Sequence, residues 1–319
     1  MAATTAILAP SKPHFSSIGT EQKSSLFDRV INPQALYNRF GSSSQALTAQ
    51  NEFSTEGRGE DYLDSIRLFP DVRSEGTLDL LRLAHPQGSL EFDGDYIIAD
   101  LLAGDGYIEE TCKRHVSFAP LFVNSDSSPF MVQQSRQKGM FGVCQFAQDL
   151  FWLKDESVDA VIYAYGTHHI PQEFRSQAAK EGARILKSGG RWVLHDFEED
   201  GPMARFFGEV VNEYGKTRHD YPHFTRQEMI NLAQDAGLSD IAIEHIADPF
   251  VVQAPSKLAA KGLLCNYVIK MYGLSGLENE LDFTFHLLDQ YFSVNLTENL
   301  SGYEARLIRN ALVCHGTKP

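Results

Sequence analysis

Short apolar runs, each closed off by Gly, Asp or Pro, recur along the middle of the chain at residues 96–102, 121–123, 143–147, 160–165, 191–197 and 241–246. Runs this short with little polar alternation read as strands buried on both faces. The longer amphipathic stretches between them read as crossover helices. The alternation predicts a doubly wound, mostly parallel α/β domain, whose ligands gather at the carboxyl ends of the strands. One crossover helix is well punctuated: Thr225-Arg-Gln-Glu228 is a capping box and Gly237 stops the helix.

Ahead of that domain the apolar positions fall into short helical stripes. They are Leu26, Phe27, Val30 and Ile31; then Tyr62, Leu63, Ile66 and Phe69; then Leu78, Leu80, Leu81 and Leu83. None is long enough to form a domain, so residues 26–90 are expected to form a helical cap. A loose tail rich in Ser, Thr, Ala and Pro precedes it over 1–25. Past residue 254 the strand pattern gives way to two helical stretches. Ser256 caps the first, with Leu264, Val268 and Met271 on one face, and Leu281, Phe285, Leu288 and Phe292 line the second. A last apolar run, 311–314, reads as a closing strand. The expected division is a core over 91–254 and 303–319, interrupted by a helical insertion over 255–302. That insertion suits a lid, a homodimer contact or extra core.

Composition narrows the function classes. With 43% apolar residues the chain can bury a core, which excludes disorder as its main state. No apolar stretch approaches the ~20 residues of a membrane span, and residues 1–11 lack the basic start of a secretory signal. Cys112, Cys144, Cys265 and Cys314 are far apart in sequence, with no CxxC pair, which fits a reducing, cytoplasmic setting. Asp and Glu exceed Lys and Arg by 42 to 28, for a net charge of −14. A phosphate backbone would be repelled, so neither nucleic acid nor a membrane is an expected partner.

The chemistry begins at the first strand end, Asp100-Leu-Leu-Ala-Gly104-Asp-Gly106. Gly104 and Gly106 allow a tight turn and a close approach of backbone to ligand. A dinucleotide would need a third glycine where Glu109 stands, and Asp105, Glu109 and Glu110 would repel its pyrophosphate. S-adenosylmethionine has no phosphate and carries a sulfonium and an ammonium, so the acids suit it. Asp100 ends the first strand near the ammonium end. Asp126 ends the second, where a carboxylate can accept from both ribose hydroxyls. Gln148 and Asp149 follow the third, where Asp149 can accept from the adenine amino group and Leu150 or Phe151 can cover the ring.

These motifs resemble the class I S-adenosylmethionine-dependent methyltransferases, in particular the small-molecule branch with the ubiquinone and menaquinone C-methyltransferases. The loop from Asp100 to Gly106 is similar to that family's D-L-x-x-G-x-G, and Asp126-Ser-Ser-Pro-Phe-Met131 to its D-x-S-P-x-M. Gln148-Asp149, then Asp155-Glu-Ser-Val-Asp159, is similar to its adenine motif and fourth strand. His168-His169-Ile170 and Ile185-Leu-Lys-Ser-Gly-Gly-Arg191 are similar to its H-H-I and L-K-P-G-G-R. Leu102 stands where the family usually has a small residue, and Ser188 where it has proline. The resemblance implies a Rossmann-like sheet of seven strands and a cofactor site that adds Leu102, Ser127 and Tyr165 to the residues above. It implies methyl transfer to a small-molecule or carrier-bound acyl acceptor, as in secondary metabolism. The alternative is a relative that keeps the cofactor but catalyses a non-methylating reaction such as cyclisation.

On the acceptor side the [DN]-P-P-[YF] motif of amino-directed enzymes is absent from 164–169. Histidines do gather at strand ends and nearby loops. His168, His169, His195 and His223 are the candidates for a general base, since a neutral imidazole can take a proton from the attacking atom. His219 and His223 have the spacing of a metal pair, but Pro222 prevents the helix that would align them. No metal site is expected.

Overall fold

The computed structural model describes residues 26, 28–35 and 52–319. The expected tail over 1–25, Phe27 of the first stripe and the cap residues 36–51 lie outside the described residues.

Seven strands form the central sheet: β1 (Ile97–Asp100), β2 (Leu121–Asp126), β3 (Gly142–Cys144), β4 (Val158–Tyr163), β5 (Leu186–Asp196), β6 (Ser239–Ala247) and, after β7 (Phe250–Ala254), β8 (Ser293–Asn299) and β9 (Gly302–Ile308), β10 (Asn310–Thr317). Their order is β3-β2-β1-β4-β5-β10-β6. The pairs among β1 to β5 are parallel, and β10 runs antiparallel between β5 and β6. This is the mostly parallel, Rossmann-like sheet the alternation predicted.

Burial explains the continuous apolar runs. Ile98, Phe122, Ala160, Ile162 and Val193 face one buried layer, while Ile97, Ala99, Val123, Val161 and Leu194 face the other. Successive strand residues point to opposite faces, so a strand covered on both sides has no polar position to spare. The first layer is closed by α2 (Ser74–Leu83) through Leu80 and Leu81, and by α3 (Tyr107–His115) through Ile108 and Cys112. The second is closed by α5 (Gln172–Ile185), by α7 (Arg226–Asp235), and by Leu26, Val30 and Ile31. The capping box holds: the Thr225 side chain accepts from the Glu228 amide, and Gly237 adopts φ +77° beyond the helix. Between β2 and β3 lies α4 (Pro129–Gln137), whose N-cap is Ser128, and the short α6 (Pro202–Phe206) follows β5.

The sixteen-residue α8 (Lys257–Tyr272) is capped by Ser256 and packs along α1 (Gly59–Leu68); α9 (Leu281–Tyr291) follows. The segment read as purely helical also carries β8, and β7, β9 and β8 form a second, antiparallel sheet of three strands. Val294, Leu296, Ala305 and Leu307 alternate with polar residues, because this small sheet has one face in the core and one in solvent. Leu264, Val268, Phe250 and Leu307 join the same core as Ile98, so cap, insertion and sheet share one interior. No helix among the described residues is long and apolar enough to cross a membrane, and all four cysteines are free.

Candidate active site

The carboxyl ends of β1, β2 and β4 open onto a cavity of about 230 Å³. Of the residues expected to hold a cofactor, Leu102, Gly104, Asp126, Ser127, Gln148 and Tyr165 line it. Gly104 adopts φ +55°, and a Cβ there would lie 3.3 Å from Met131 Cε. The Asp126 carboxylate accepts from the Gly104 amide and from the Ser128 amide, each at 2.8 Å. Burial pushes its pKa up to about 6, against the pull of those two bonds.

Asp100 sits behind the lining and is 1% exposed. Its Oδ1 accepts weakly from the Leu102 amide at 3.4 Å, and its Oδ2 has no hydrogen-bond partner. Burial first, then the nearby charges of Asp126 and Glu109, push it up to about 8. A buried carboxylate oxygen with an unmet bond is what a cationic ligand group would satisfy.

Three further expected residues stand off the cavity. Gly106 caps α3 at φ +90°, and a Cβ there would meet Met140 Sδ at 2.1 Å, so this glycine answers to packing. Leu150, expected to cover an adenine ring, is fully buried in the core, with its amide bonded to Glu181; Phe146 and Ala147 line the cavity instead. Asp149 does not line the cavity either, and accepts from Gln145 Nε2 at 3.1 Å.

Beyond Phe53, Tyr62, Tyr165 and His169 lies a smaller chamber of about 30 Å³ that shares these four as walls. Tyr165 holds φ +61°, a region that costs a non-glycine residue about 1–3 kcal/mol and persists only where surroundings impose it. Here they do. The Tyr165 amide donates to His195 Nδ1 at 3.3 Å, and its hydroxyl meets Thr77 Oγ1 at 3.1 Å and Asp248 Oδ1 at 3.3 Å. Three buried arginines reach the chamber. Arg58 is paired with Glu52 and Arg309 with Asp248. Arg73 has no carboxylate of the described residues within ion-pair distance. Its Nη2 donates to the Tyr62 hydroxyl at 3.1 Å, its Nε is buried without a partner, and its guanidinium lies 4.1 Å from the Tyr107 ring and 4.7 Å from that of Tyr165.

The four candidate histidines separate by position. His169 lines both cavities and His168 the chamber, whereas His195 and His223 line neither. His195 is fully buried, with Nε2 3.8 Å from Asp248. His168 Nδ1 lies 2.9 Å from both oxygens of Asp196, and His223 Nδ1 lies 3.6 Å from one of them. Burial would raise the Asp196 carboxyl, yet His168 and His223 hold it well below the usual range. Burial, with the neighbouring imidazoles, pushes His169 and His219 well down. His219 stacks on Phe207 at 3.9 Å, at the start of a π-helical turn, Phe207–Val211. The loop between β5 and α7 thus brings His219, Tyr221 and His223 against His168 and His169, with no helix needed.

The pattern of apolar positions did signal Tyr62, as part of a helical stripe. Arg73, Glu52 and Arg58 carried no sequence signal, because a buried arginine looks like a surface one until its neighbours are known.

A protein-family profile described as Methyltransferase domain matches residues 99–194, from β1 to β5. A curated relative, the ubiquinone/menaquinone biosynthesis C-methyltransferase UbiE of Sinorhizobium fredii, is 29% identical over 136 residues, covering 38% of this chain. The chain spans about half, 52%, of that relative's length. Among solved structures, phosphoethanolamine N-methyltransferase 2 of Haemonchus contortus, in complex with S-adenosyl-L-methionine, matches with a TM-score of 0.55 at 16% identity, over 88% of this chain and 61% of its own. The Haloferax volcanii complex of the Trm112 methyltransferase activator with a methyltransferase matches with a TM-score of 0.53 at 19% identity, over 84% and 98%. At such identities these structures speak for the fold.

Proposed function

We propose that this chain, whose residues 99–194 match a methyltransferase-domain profile, is a class I S-adenosylmethionine-dependent methyltransferase whose acceptor is an anionic small molecule, held at the cavity wall with its charged end toward Arg73 in the chamber. The observation that carries the acceptor's charge is Arg73 itself, a buried guanidinium with aromatic neighbours and no carboxylate partner among the described residues. Burying such a charge unpaired costs several kcal/mol, which a carboxylate, phenolate or enolate would offset.

S-adenosylmethionine supplies an electrophilic methyl group on a sulfonium. The residues around the cavity fit it: Asp100 Oδ2 lacks a donor, Asp126 still has a free lone pair on each oxygen, and Gly104 leaves the loop without a side chain. In this reading Asp100 accepts from the ammonium, Asp126 accepts the ribose hydroxyls, and Ser127 and Gln148 contact the nucleoside. Leu102 and Tyr165 pack against the methionine end. Phe53, Tyr62 and Tyr165 hold the acceptor and exclude water, and Arg73 favours its ionised form at the attacking atom. His169 stands at the wall between cavity and chamber, where burial keeps its imidazole neutral beside the acceptor. A carrier-bound acyl group fits the same scheme as its thioester enolate.

The test is release of S-adenosylhomocysteine when the protein meets a panel of 1,3-dicarbonyls, phenols and acyl thioesters. Arg73→Met should raise KM for the accepted anion at least tenfold and leave cofactor affinity unchanged. Product formation without S-adenosylhomocysteine would instead establish a non-methylating reaction, and an unchanged KM would remove Arg73 from the acceptor site.

A further inference from the structure

Four imidazoles crowd together at the chamber wall. Their ring centroids lie 4.3 Å apart for His168 and His169, 4.8 Å for His168 and His219, and 4.9 Å for His168 and His223. Asp196 engages His168 Nδ1, which leaves the lone pair of the neutral ring on Nε2. That Nε2 is buried and has no hydrogen-bond partner, and the same is true of His219 Nε2. His168 is 3% exposed and His219 5%. Orphaned buried polar atoms of this kind are uncommon and call for an explanation. One ring nitrogen each from His168, His169 and His219 lie within 4.8 Å of one another. Glu52 stands beside them, its Oε1 3.5 Å from His169 Nε2 and its Oε2 3.9 Å from His219 Nδ1, and Arg58 donates to the same Oε1.

We infer that His168, His169 and His219 bind a divalent transition-metal ion. Three imidazoles suit zinc, iron, cobalt or nickel rather than magnesium or calcium, whose ligands are oxygens. Metal–nitrogen distances near 2.0–2.1 Å put donors about 3–3.5 Å apart, so side-chain rotation has only about 1 Å to close. Asp196 then orients His168 as the carboxylate partner of a metal-bound histidine does. His168 and His169 line the chamber, so the coordination positions left open face the space where an acceptor oxygen or a water would sit. The ligands come from the turn after β4 and the loop before α7, which explains how a site forms although Pro222 forbids a helix between His219 and His223. The inference rests on donor geometry and holds whether or not the chain transfers a methyl group.

The test is titration of the metal-free full-length protein with Co²⁺, followed by visible absorption and calorimetry. One Co²⁺ per chain, with d–d bands abolished by Zn²⁺, is the expected result. His219→Phe keeps the stacking on Phe207 but removes a donor, and His169→Gln removes the imidazole donor at a partly exposed position; each should weaken Co²⁺ at least tenfold. Asp196→Asn should cost roughly 10–100-fold. Near-UV circular dichroism checks folding, and if His219→Phe fails that check, His169→Gln decides. Absence of stoichiometric Co²⁺ uptake, or bands unchanged in the folded variants, overturns the site. Loss in His223→Ala but not in His169→Gln also overturns the assignment, in favour of His168, Asp196 and His223 as ligands.

Discussion

The Gly104 amide donates to Asp126 Oδ2 at 2.8 Å, so the end of β2 is bonded to the glycine loop that leaves β1. The same carboxylate takes the Ser128 amide on its other oxygen at 2.8 Å. Asp126 therefore does two things at once: it shapes the loop, and it keeps one lone pair per oxygen for a ligand diol.

Asp126→Ala should weaken S-adenosylmethionine binding by about 2–4 kcal/mol, since two charge-assisted hydrogen bonds are lost and the loop loses its anchor. Calorimetry giving the wild-type affinity would remove Asp126 from the cofactor site.

The two glycines of the loop should fail in different ways. Gly104→Val puts a branched side chain at φ +55° and 3.3 Å from Met131 on the cavity wall, so cofactor binding should vanish while the protein still folds. Gly106→Ala drives a methyl into Met140 Sδ, away from the cavity. It should lower Tm by several degrees and change cofactor affinity by less than about threefold. The reverse pattern would mean that the loop approaches its ligand through Gly106.

Asp100 gives the ligand-free protein a pH signature. Its folded pKa, pushed up to about 8 by burial, lies above the unfolded value near 3.9, so its contribution to stability is fully present below about pH 4. That contribution declines as pH rises and is gone above about pH 8, with a slope of at most roughly 1.4 kcal/mol per pH unit. Thermal melts between pH 5.5 and 9 should show Tm falling toward pH 8, and Asp100→Asn should flatten the curve. A profile unaltered by that change would count against a buried, protonated Asp100.

Tyr165→Phe keeps the ring between cavity and chamber and removes the hydroxyl that meets Thr77 and Asp248. Denaturant unfolding should show a loss of about 0.5–1.5 kcal/mol per bond, with cofactor affinity intact. Undiminished stability would show that the backbone bond to His195 alone holds Tyr165 in its left-handed conformation.

Much of the cavity at the strand ends was legible in the chain. Gly104, Asp126 and Gln148 each follow an apolar run closely, and a strand buried on both faces must deliver the residues after it to the same sheet edge. Leu150 and Asp149 stand off the cavity for a related reason: β3 ends at Cys144, and the turn that follows buries Leu150 while Phe146 and Ala147 line the cavity. Periodicity says where a strand runs and is silent on which way an irregular turn faces. The hairpin of β8 and β9 escaped because its short alternations lie beside a helical stripe and one face is in solvent.

The sequence by itself determined the mostly parallel α/β core, its glycine loop and the acids at its strand ends. Each of these follows from burial and backbone geometry within a few residues. Only the tertiary structure decided the chamber. It set Arg73 without a carboxylate among the described residues, paired Arg58 with Glu52, and brought His219 from a loop about fifty residues downstream against His168. Those contacts join the cap, the turn after β4 and the loop before α7. Their residue types are indistinguishable in sequence from solvated ones, because what makes a buried charge or an orphaned nitrogen consequential is the absence of water around it, and only packing removes the water.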